Sequence, residues 1–295
     1  MTARRMKVKE ALAAEGPLES VEINGWVRTR RDAKGFSFLE MNDGTCLANL
    51  QVIVDPGCPQ YGQIQEFTTG SAVRAVGPLV PSQGKGQSWE IKATELELVG
   101  KAEDSYPLQK KRHSLEYLRE IAHLRPRSNL FGAVFRVRSR LAYAIHRFYQ
   151  ERGFLYVHTP LITASDCEGA GEMFRVTALD PADPPRLKDG SVDYGKDFFE
   201  RPTYLTVSGQ LEAEIFALSH SHVYTFGPTF RAENSNTSRH AAEFWMIEPE
   251  MAFCNLEGNM DLAETFIKEL VRDILENCGE DLELFGKFVD RGLHD

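Results

Sequence analysis

The chain has no C-x-x-C pair, and its five cysteines, Cys46, Cys58, Cys167, Cys254 and Cys278, are scattered. Such spacing supplies neither a structural zinc site nor a disulfide framework. It suits a reducing cytoplasm in which the thiols serve as small buried hydrophobes. No run approaches the roughly 18 apolar residues that a membrane helix requires, so no membrane association is expected. Basic residues at the N-terminus (Arg4, Arg5, Lys7, Lys9) are followed by no apolar core, which excludes a secretory signal. There is no G-x-x-x-x-G-K-[ST] loop and no dinucleotide fingerprint; Gly84-Lys85-Gly86 lacks the spacing and reads as a hairpin turn. His220-Ser221-His222 has no third ligand beside it and reads as structural, so no protein-held metal is expected. Positive charge is also short: 34 Lys plus Arg against 43 Asp plus Glu leave a net −9, which argues against a general polyanion binder such as a DNA-coating protein.

What is present is a globular composition, 42% hydrophobic and 26% charged over 295 residues, enough for two domains with their own cores. The charge is uneven. Residues 1–104 carry net −2, residues 105–152 net +8 and residues 153–295 net −15. The basic waist reads either as a polyanion contact surface or as a solvated basic helix, and composition does not choose. Val21–Val27, Phe36–Met41, Leu47–Val54, Ser71–Gly77 and Trp89–Val99 are strand-like runs separated by Asp43-Gly44, Pro56-Gly57, Gly77-Pro78 and the loop 81–86. Five short strands in about 80 residues predict a small closed barrel, most commonly an OB-fold. From Ser128, a helix cap, apolar residues recur at helical spacing up to Gly153. A strand at 154–158, a strand pair Val223–Phe230 and Glu243–Met251, and a long helix Leu256–Asn277 follow, with an exposed insertion at 180–201. The second half is therefore a mixed α+β domain. The expected organisation is 1–104 barrel, 105–127 linker or hinge, and 128–295 second domain.

Without a glycine cradle, a nucleotide would need arginines for its phosphates and a ring for its base. The strand pair supplies both. Arg231 ends one strand, and Arg239-His240 lie in the loop. On the returning strand, alternation puts Phe244, Met246, Glu248 and Glu250 on one face. That row lines a pocket, or it is an edge-strand surface with incidental charges.

Phe230-Arg231-Ala232-Glu233, the loop ending Arg239-His240, and Glu243-Phe244-Trp245-Met246-Ile247-Glu248 resemble motif 2 of class II aminoacyl-tRNA synthetases. More narrowly, they resemble the asparagine-specific members of the aspartate, asparagine and lysine subgroup. Residues 136–160, a helix and then a strand ending Thr159-Pro160, are similar to motif 1, the dimer interface of that family. Gly25-Trp26-Val27-Arg28-Thr29-Arg30-Arg31-Asp32 resembles its anticodon-binding OB domain. Residues 166–174 and Leu205–Leu211 are further subgroup matches.

The resemblance implies an α+β chain: an N-terminal OB-fold β-barrel plus a class II antiparallel-sheet catalytic domain, incomplete at its C-terminus. It implies ATP-dependent ligation of L-asparagine to tRNA(Asn) through an aminoacyl-adenylate, with Mg2+ accompanying ATP, in a cytoplasmic homodimer with Pro160 at its interface. Arg231 would hold the α-phosphate as the catalytic residue, and Glu233 would accept from the adenine amino group. Arg239 and His240 would hold the β,γ-phosphates, and Phe244 would stack on adenine. Glu168, Ser208 and Gln210 would bind the amino-acid backbone. Glu248 would accept from the side-chain carboxamide and repel the carboxylate of aspartate, or would pair with an arginine in the sheet. Arg31, Phe38 and Gln51 would read the middle anticodon base, unless Phe38 belongs to the barrel core. The matching family carries a later glycine-rich motif 3, magnesium ligands and a pocket arginine that do not occur here, so the chain reads as part of a longer polypeptide. Two other readings stay open: a non-discriminating aspartyl-type enzyme, and a truncated non-catalytic tRNA-binding paralogue.

Overall fold

The computed structural model describes residues 3–293 apart from 85, 112, 168, 170–172, 236, 238 and 239. The chain divides into two compact units, Met1–Leu141 with Ile274–Asp295, and Ala142–Asp273.

The first unit is built on a barrel. Its elements are β1 (Arg4–Arg5), α1 (Val8–Leu12), β2 (Leu18–Ala33), β3 (Phe36–Asn42), β4 (Leu50–Val54), β5 (Ala72–Pro81), β6 (Trp89–Lys92) and β7 (Glu95–Gly100). The ring closes because β2 pairs with both β3 and β5, giving β2-β3-β4-β6-β5 and back to β2. Alternate residues point inward: Val21, Ile23 and Val27 on β2, Leu39 and Met41 on β3, and Leu50, Val52 and Val54 on β4 are all buried. Gly77 is required by this closure, since a Cβ there would lie 1.9 Å from the Lys92 carbonyl oxygen.

Three elements differ from the sequence expectation. The run Trp89–Val99 breaks into β6 and β7 because the chain changes partners: Ala93 N donates to Ile53 O (2.8 Å) and Thr94 N to Val76 O (2.8 Å). β4 starts at Leu50 rather than Leu47 because the Asn42 side chain donates to the Cys46 and Ala48 carbonyls (3.2 and 2.8 Å) and holds that stretch as a turn. The short helix α1 was not anticipated; Val8 and Ala11 are fully buried in the barrel core, and Val8 N donates to Asp43 Oδ2 at 3.0 Å.

After the barrel come α2 (Leu115–Glu120) and α3 (Asn129–Glu151). Ser128 caps α3 as expected, its Oγ accepting from Phe131 N at 3.3 Å. The second unit contains β8 (Leu155–Tyr156), β9 (Ile162–Thr163), β10 (Arg175–Val176), β11 (Thr203–Leu205), α4 (Gln210–His220), β12 (His222–Phe230) and β13 (Glu243–Met251). They are followed by α5 (Leu256–Asn277), and then by α6 (Gly279–Phe288), an element the sequence pattern does not announce, which belongs to the first unit. β13, β12 and β8 form one three-stranded sheet and β10, β11 and β9 another. The core behind the first sheet is aromatic: Tyr224 is fully buried and stacks on Tyr149 with ring centres 4.6 Å apart, alongside Phe148 and Phe154. Burial pushes the Tyr149 hydroxyl up to about 12. The Tyr224 hydroxyl is 2.8 Å from His146 Nδ1, so its polar tip is satisfied inside this core. The insertion is mostly exposed, as its composition predicts, and is tied down by the buried Asp197, which accepts from Thr177 Oγ1 (2.6 Å) and Ala178 N (2.9 Å). On α5, Leu256, Met260, Ile267, Val271 and Leu275 are exposed.

Candidate active site

β12 and β13 run antiparallel with Thr225 opposite Glu248, Gly227 opposite Met246 and Thr229 opposite Phe244. The row Phe244, Met246, Glu248 and Glu250 is half-buried, while on the other face Glu243 and Trp245 are exposed and Ile247 and Met251 pack against the aromatic core. Arg231, the first residue after β12, donates its backbone N–H to Ala242 O (3.0 Å). Its guanidinium carbon stands 5.4 Å from the Phe244 ring centre, and its Nη2 lies 3.9 Å from Met246 Sδ. A cation and a flat ring therefore share one end of the row, within cation–π reach.

Glu248 occupies the middle. Its Oε1 accepts from Ser208 Oγ; its Oε2 accepts from Thr225 Oγ1 (2.7 Å) and Gly209 N (3.2 Å). Ser208 Oγ in turn accepts from Gln210 N at 3.1 Å. Among the described residues Glu248 is held by hydroxyls and a backbone amide, not by an arginine. Three donors on a carboxylate with about four acceptor sites leave room for one more donor. The recess beside it is bounded by Tyr156, Thr159, Thr206, Gly209, Thr225 and Glu248. Glycine is needed at 209, where a Cβ would sit 2.6 Å from Thr159 Oγ1. Thr225 and Gly209 escaped the sequence reading. The available signal was a polar residue at an alternating position of an otherwise apolar strand, Tyr224-Thr225-Phe226.

Glu250 ends the row. Burial, then the charges of Glu214 and Glu248, push its carboxyl up to about 7. The fold thus favours neutral Glu250, and this contribution to stability is complete below the ordinary value of 4.5 and is lost as pH rises through about 7. Glu250→Gln should flatten that decline, read as urea midpoints at about pH 5 and about pH 8. An unchanged slope in the variant would refute the assignment.

The other anticipated residues are placed as follows. Gln210 is exposed at the start of α4, and its Nε2 donates to Glu214 Oε1 (2.9 Å). Glu233 and His240 face each other at 4.0 Å, both about half exposed, and His240 Nδ1 is hydrogen-bonded to Thr237 Oγ1. Pro160 is exposed in the turn after β8. Glu168 and Arg239 lie outside the described residues. His222 stacks on Phe154 (5.1 Å) while His220 bonds Ser219 Oγ (2.8 Å), so the two rings serve different neighbours.

On the barrel, Phe38 is not a core residue: Ser37 and Leu39 point inward and Phe38 outward, half-buried, with the Arg31 guanidinium 4.6 Å from its ring centre. Gln51 shares that outer surface, opposite Glu40 on β3. Three arginines of the basic waist are engaged within the chain: Arg136 pairs with Asp281, Arg147 with Asp273 and Arg152 with Glu269. On the barrel, Arg28 binds Asn129 Oδ1 (2.6 Å).

The family described as tRNA synthetases class II (D, K and N) matches residues 114–291, and the OB-fold nucleic acid binding domain matches residues 21–99. The chain belongs to the class II tRNA synthetases of the D, K and N group. Among curated relatives, it is 62% identical over 289 residues to the asparagine–tRNA ligase of Geotalea uraniireducens and 59% identical over 286 residues to that of Nostoc sp.. These matches take in 98% and 96% of the chain, which spans 62% of the length of each relative. The fold is that of asparaginyl-tRNA synthetase from Pyrococcus horikoshii complexed with asparaginyl-adenylate (TM-score 0.79, 23% identity, 96% of this chain and 61% of that one). The Entamoeba histolytica enzyme is similar (TM-score 0.78, 21% identity, 98% and 62%).

Proposed function

We propose that this chain carries the anticodon-binding and adenylate-forming parts of an enzyme that ligates L-asparagine to tRNA(Asn) at the expense of ATP. The carrying observation is Glu248, fixed by three donors on the same strand face as Arg231 and Phe244. A substrate carboxamide can donate one N–H to the remaining acceptor site; the carboxylate of aspartate has no proton to give and meets like charge in a partly desolvated recess. Relatives near 60% identity that bear the asparagine–tRNA ligase name support the same reading.

In the reaction, an oxygen of the asparagine carboxylate bonds to the α-phosphorus as the bond to the β-phosphate oxygen breaks, and pyrophosphate leaves. The nucleophile is already charged, so the site contributes positioning and charge neutralisation. Arg231 is assigned to the α-phosphate and Phe244 to the adenine face, with Glu233 on the adenine amino group. Arg239 and His240 are assigned to the outer phosphates, and Glu168, Ser208 and Gln210 to the amino-acid backbone. The adenylate is then attacked by the terminal ribose of the tRNA, releasing AMP. The described residues contain no group of three or more His, Cys, Asp or Glu able to hold a metal, and no step is routed through one. Magnesium is assigned to MgATP itself.

Modules at 1–104, 105–127 and 128–295, and a homodimer with Pro160 at its interface, complete the proposal. No helix among the described residues is long and apolar enough to cross a membrane, and the scattered cysteines suit the cytoplasm. The test is ATP–pyrophosphate exchange by the native protein from its source. Exchange driven by asparagine and not by aspartate is expected; exchange driven equally by both would replace this reading with the non-discriminating one.

A further inference from the structure

We propose that Arg175, set between Tyr194 and Tyr204, holds a backbone phosphate of the unpaired 3′ end of the tRNA while its terminal ribose reaches the adenylate. The proposal rests on the ligase reading above.

The small sheet of β9, β11 and β10 sets Thr163, Tyr204 and Arg175 in one row across its strands. The guanidinium carbon of Arg175 stands 5.2 Å from the Tyr204 ring centre and 4.9 Å from that of Tyr194. Tyr194 comes from the exposed insertion, where it opens a short turn of helix, Tyr194–Lys196. The guanidinium also donates to both phenol oxygens, Nη1 to Tyr194 Oη and Nη2 to Tyr204 Oη (3.4 Å). An arginine has five N–H groups, so about three stay available once two are used, and each accepting phenol keeps its own proton. Neither phenol donates that proton to a described residue. Two rings hold the cation in place and the side chain is exposed, so the donors are fixed before anything binds.

Nothing nearby supplies the counter-charge. Between residues 175 and 201 there are five basic side chains, Arg175, Arg186, Lys188, Lys196 and Arg201, and none pairs with a carboxylate among the described residues. Asp180, Asp189, Asp193 and Asp197 accept instead from the backbone amides of Ala182, Ser191, Gly195 and Ala178. The missing complement is an anion from outside, and a planar fork flanked by two hydroxyls suits a phosphate with several acceptor oxygens.

Position identifies which phosphate. The chain runs from Tyr204 to Thr206, about 7 Å further on in extended backbone. Thr206 bounds the recess beside Glu248, and its carbonyl accepts from Phe230 N at 2.9 Å, next to Arg231. The phosphates of ATP already have Arg231, Arg239 and His240 assigned to them. The other polyanion of the reaction is the tRNA, whose unpaired end has to come to the adenylate from outside. Single-stranded RNA is held elsewhere by the same combination of arginine and aromatic side chains.

The test measures, by filter binding, the affinity of the full chain for tRNA(Asn), intact or trimmed of its unpaired 3′ nucleotides. Trimming should weaken wild-type binding by about tenfold or more, the effect of a charge-assisted contact. Arg175→Ala should weaken binding of the intact tRNA by about tenfold and add little to the effect of trimming, because both changes remove the same contact. The slope of log affinity against log salt should also fall by about 0.7, the share of one phosphate on a single strand. Equal losses for intact and trimmed tRNA would overturn the proposal. The pair Tyr194→Phe with Tyr204→Phe keeps both rings and removes only the hydroxyls; a loss of about fivefold, confined to intact tRNA, is expected. A loss shared by trimmed tRNA would overturn the proposal even if Arg175→Ala failed to fold. So would Arg175→Ala weakening ATP binding with tRNA affinity unchanged, which would give the cation to the nucleotide. Failure of the underlying reading looks different: the wild type would bind tRNA(Asn) no better than an unrelated tRNA with the same 3′ end.

Discussion

Replacing Arg231 with alanine is expected to slow asparagine-dependent pyrophosphate exchange by about 10²–10³-fold, the usual effect of removing one preorganised charge donor. The loss should fall on turnover, with the KM for asparagine nearly unchanged. The reason lies in where the side chain stands. Its guanidinium is fixed against Phe244 and Met246, on the opposite side of Glu248 from Glu250, at the end of the row that the proposal assigns to the nucleotide. Charge on the α-phosphate grows as the new bond forms, and a fixed cation stabilises that state more than the ground state. Arg231→Lys should recover only part of the rate, because an ammonium keeps the charge but loses the planar fork that binds two oxygens at once. A slow rate explained wholly by a raised KM for asparagine would place Arg231 in amino-acid binding and refute the assignment.

Asp281→Ala should destabilise the first unit by about 3–5 kcal/mol, measured by urea denaturation. Asp281 takes two hydrogen bonds from Arg136, Nε to Oδ2 at 3.0 Å and Nη2 to Oδ1 at 2.6 Å, and both side chains are well covered (22% and 9% exposed). The third guanidinium nitrogen donates to Gly44 O at 3.3 Å, so one arginine of α3 ties together α6 and the barrel's β3–β4 turn. Removing the carboxylate strands a desolvated cation. Replacing both partners by apolar residues of similar volume, Arg136→Met with Asp281→Leu, should recover much of the loss, because the desolvation cost vanishes with the charges. The exposed pair Lys268–Glu264 on α5 is the contrast: breaking it should leave the midpoint where it was. Similar effects at the two sites would mean that burial does not govern the first.

The class of fold was legible in the chain because it rests on local physics. Alternation of Val21, Ile23 and Val27, or of Leu39 and Met41, is a period of two written into consecutive residues, and the barrel follows from burying that face. The helices at 129–151 and 256–277 and their Ser128 cap were equally local. So was the row of Phe244, Met246, Glu248 and Glu250, since strand alternation alone puts those four on one side. The short helix α1, the β6–β7 break and α6 were not legible: each exists because a distant element offers a partner, such as Asp43 for Val8 or Ile53 and Val76 for Ala93 and Thr94.

Roles that depend on who faces whom were decided only by tertiary structure. Residue types left Phe38 open between the barrel core and the anticodon surface, and Glu248 open between a substrate contact and an arginine partner. Strand register turned Phe38 outward under Arg31 and gave Glu248 to Ser208, Gly209 and Thr225, up to 40 residues away in sequence. The Arg136–Asp281 pair spans 145 residues and the Gln51–Glu90 pair 39. A periodic pattern is an average over neighbours along the chain and survives without knowledge of the fold. A hydrogen bond is a coincidence of two points in space, and the chain says which groups need partners without saying which partners they will meet.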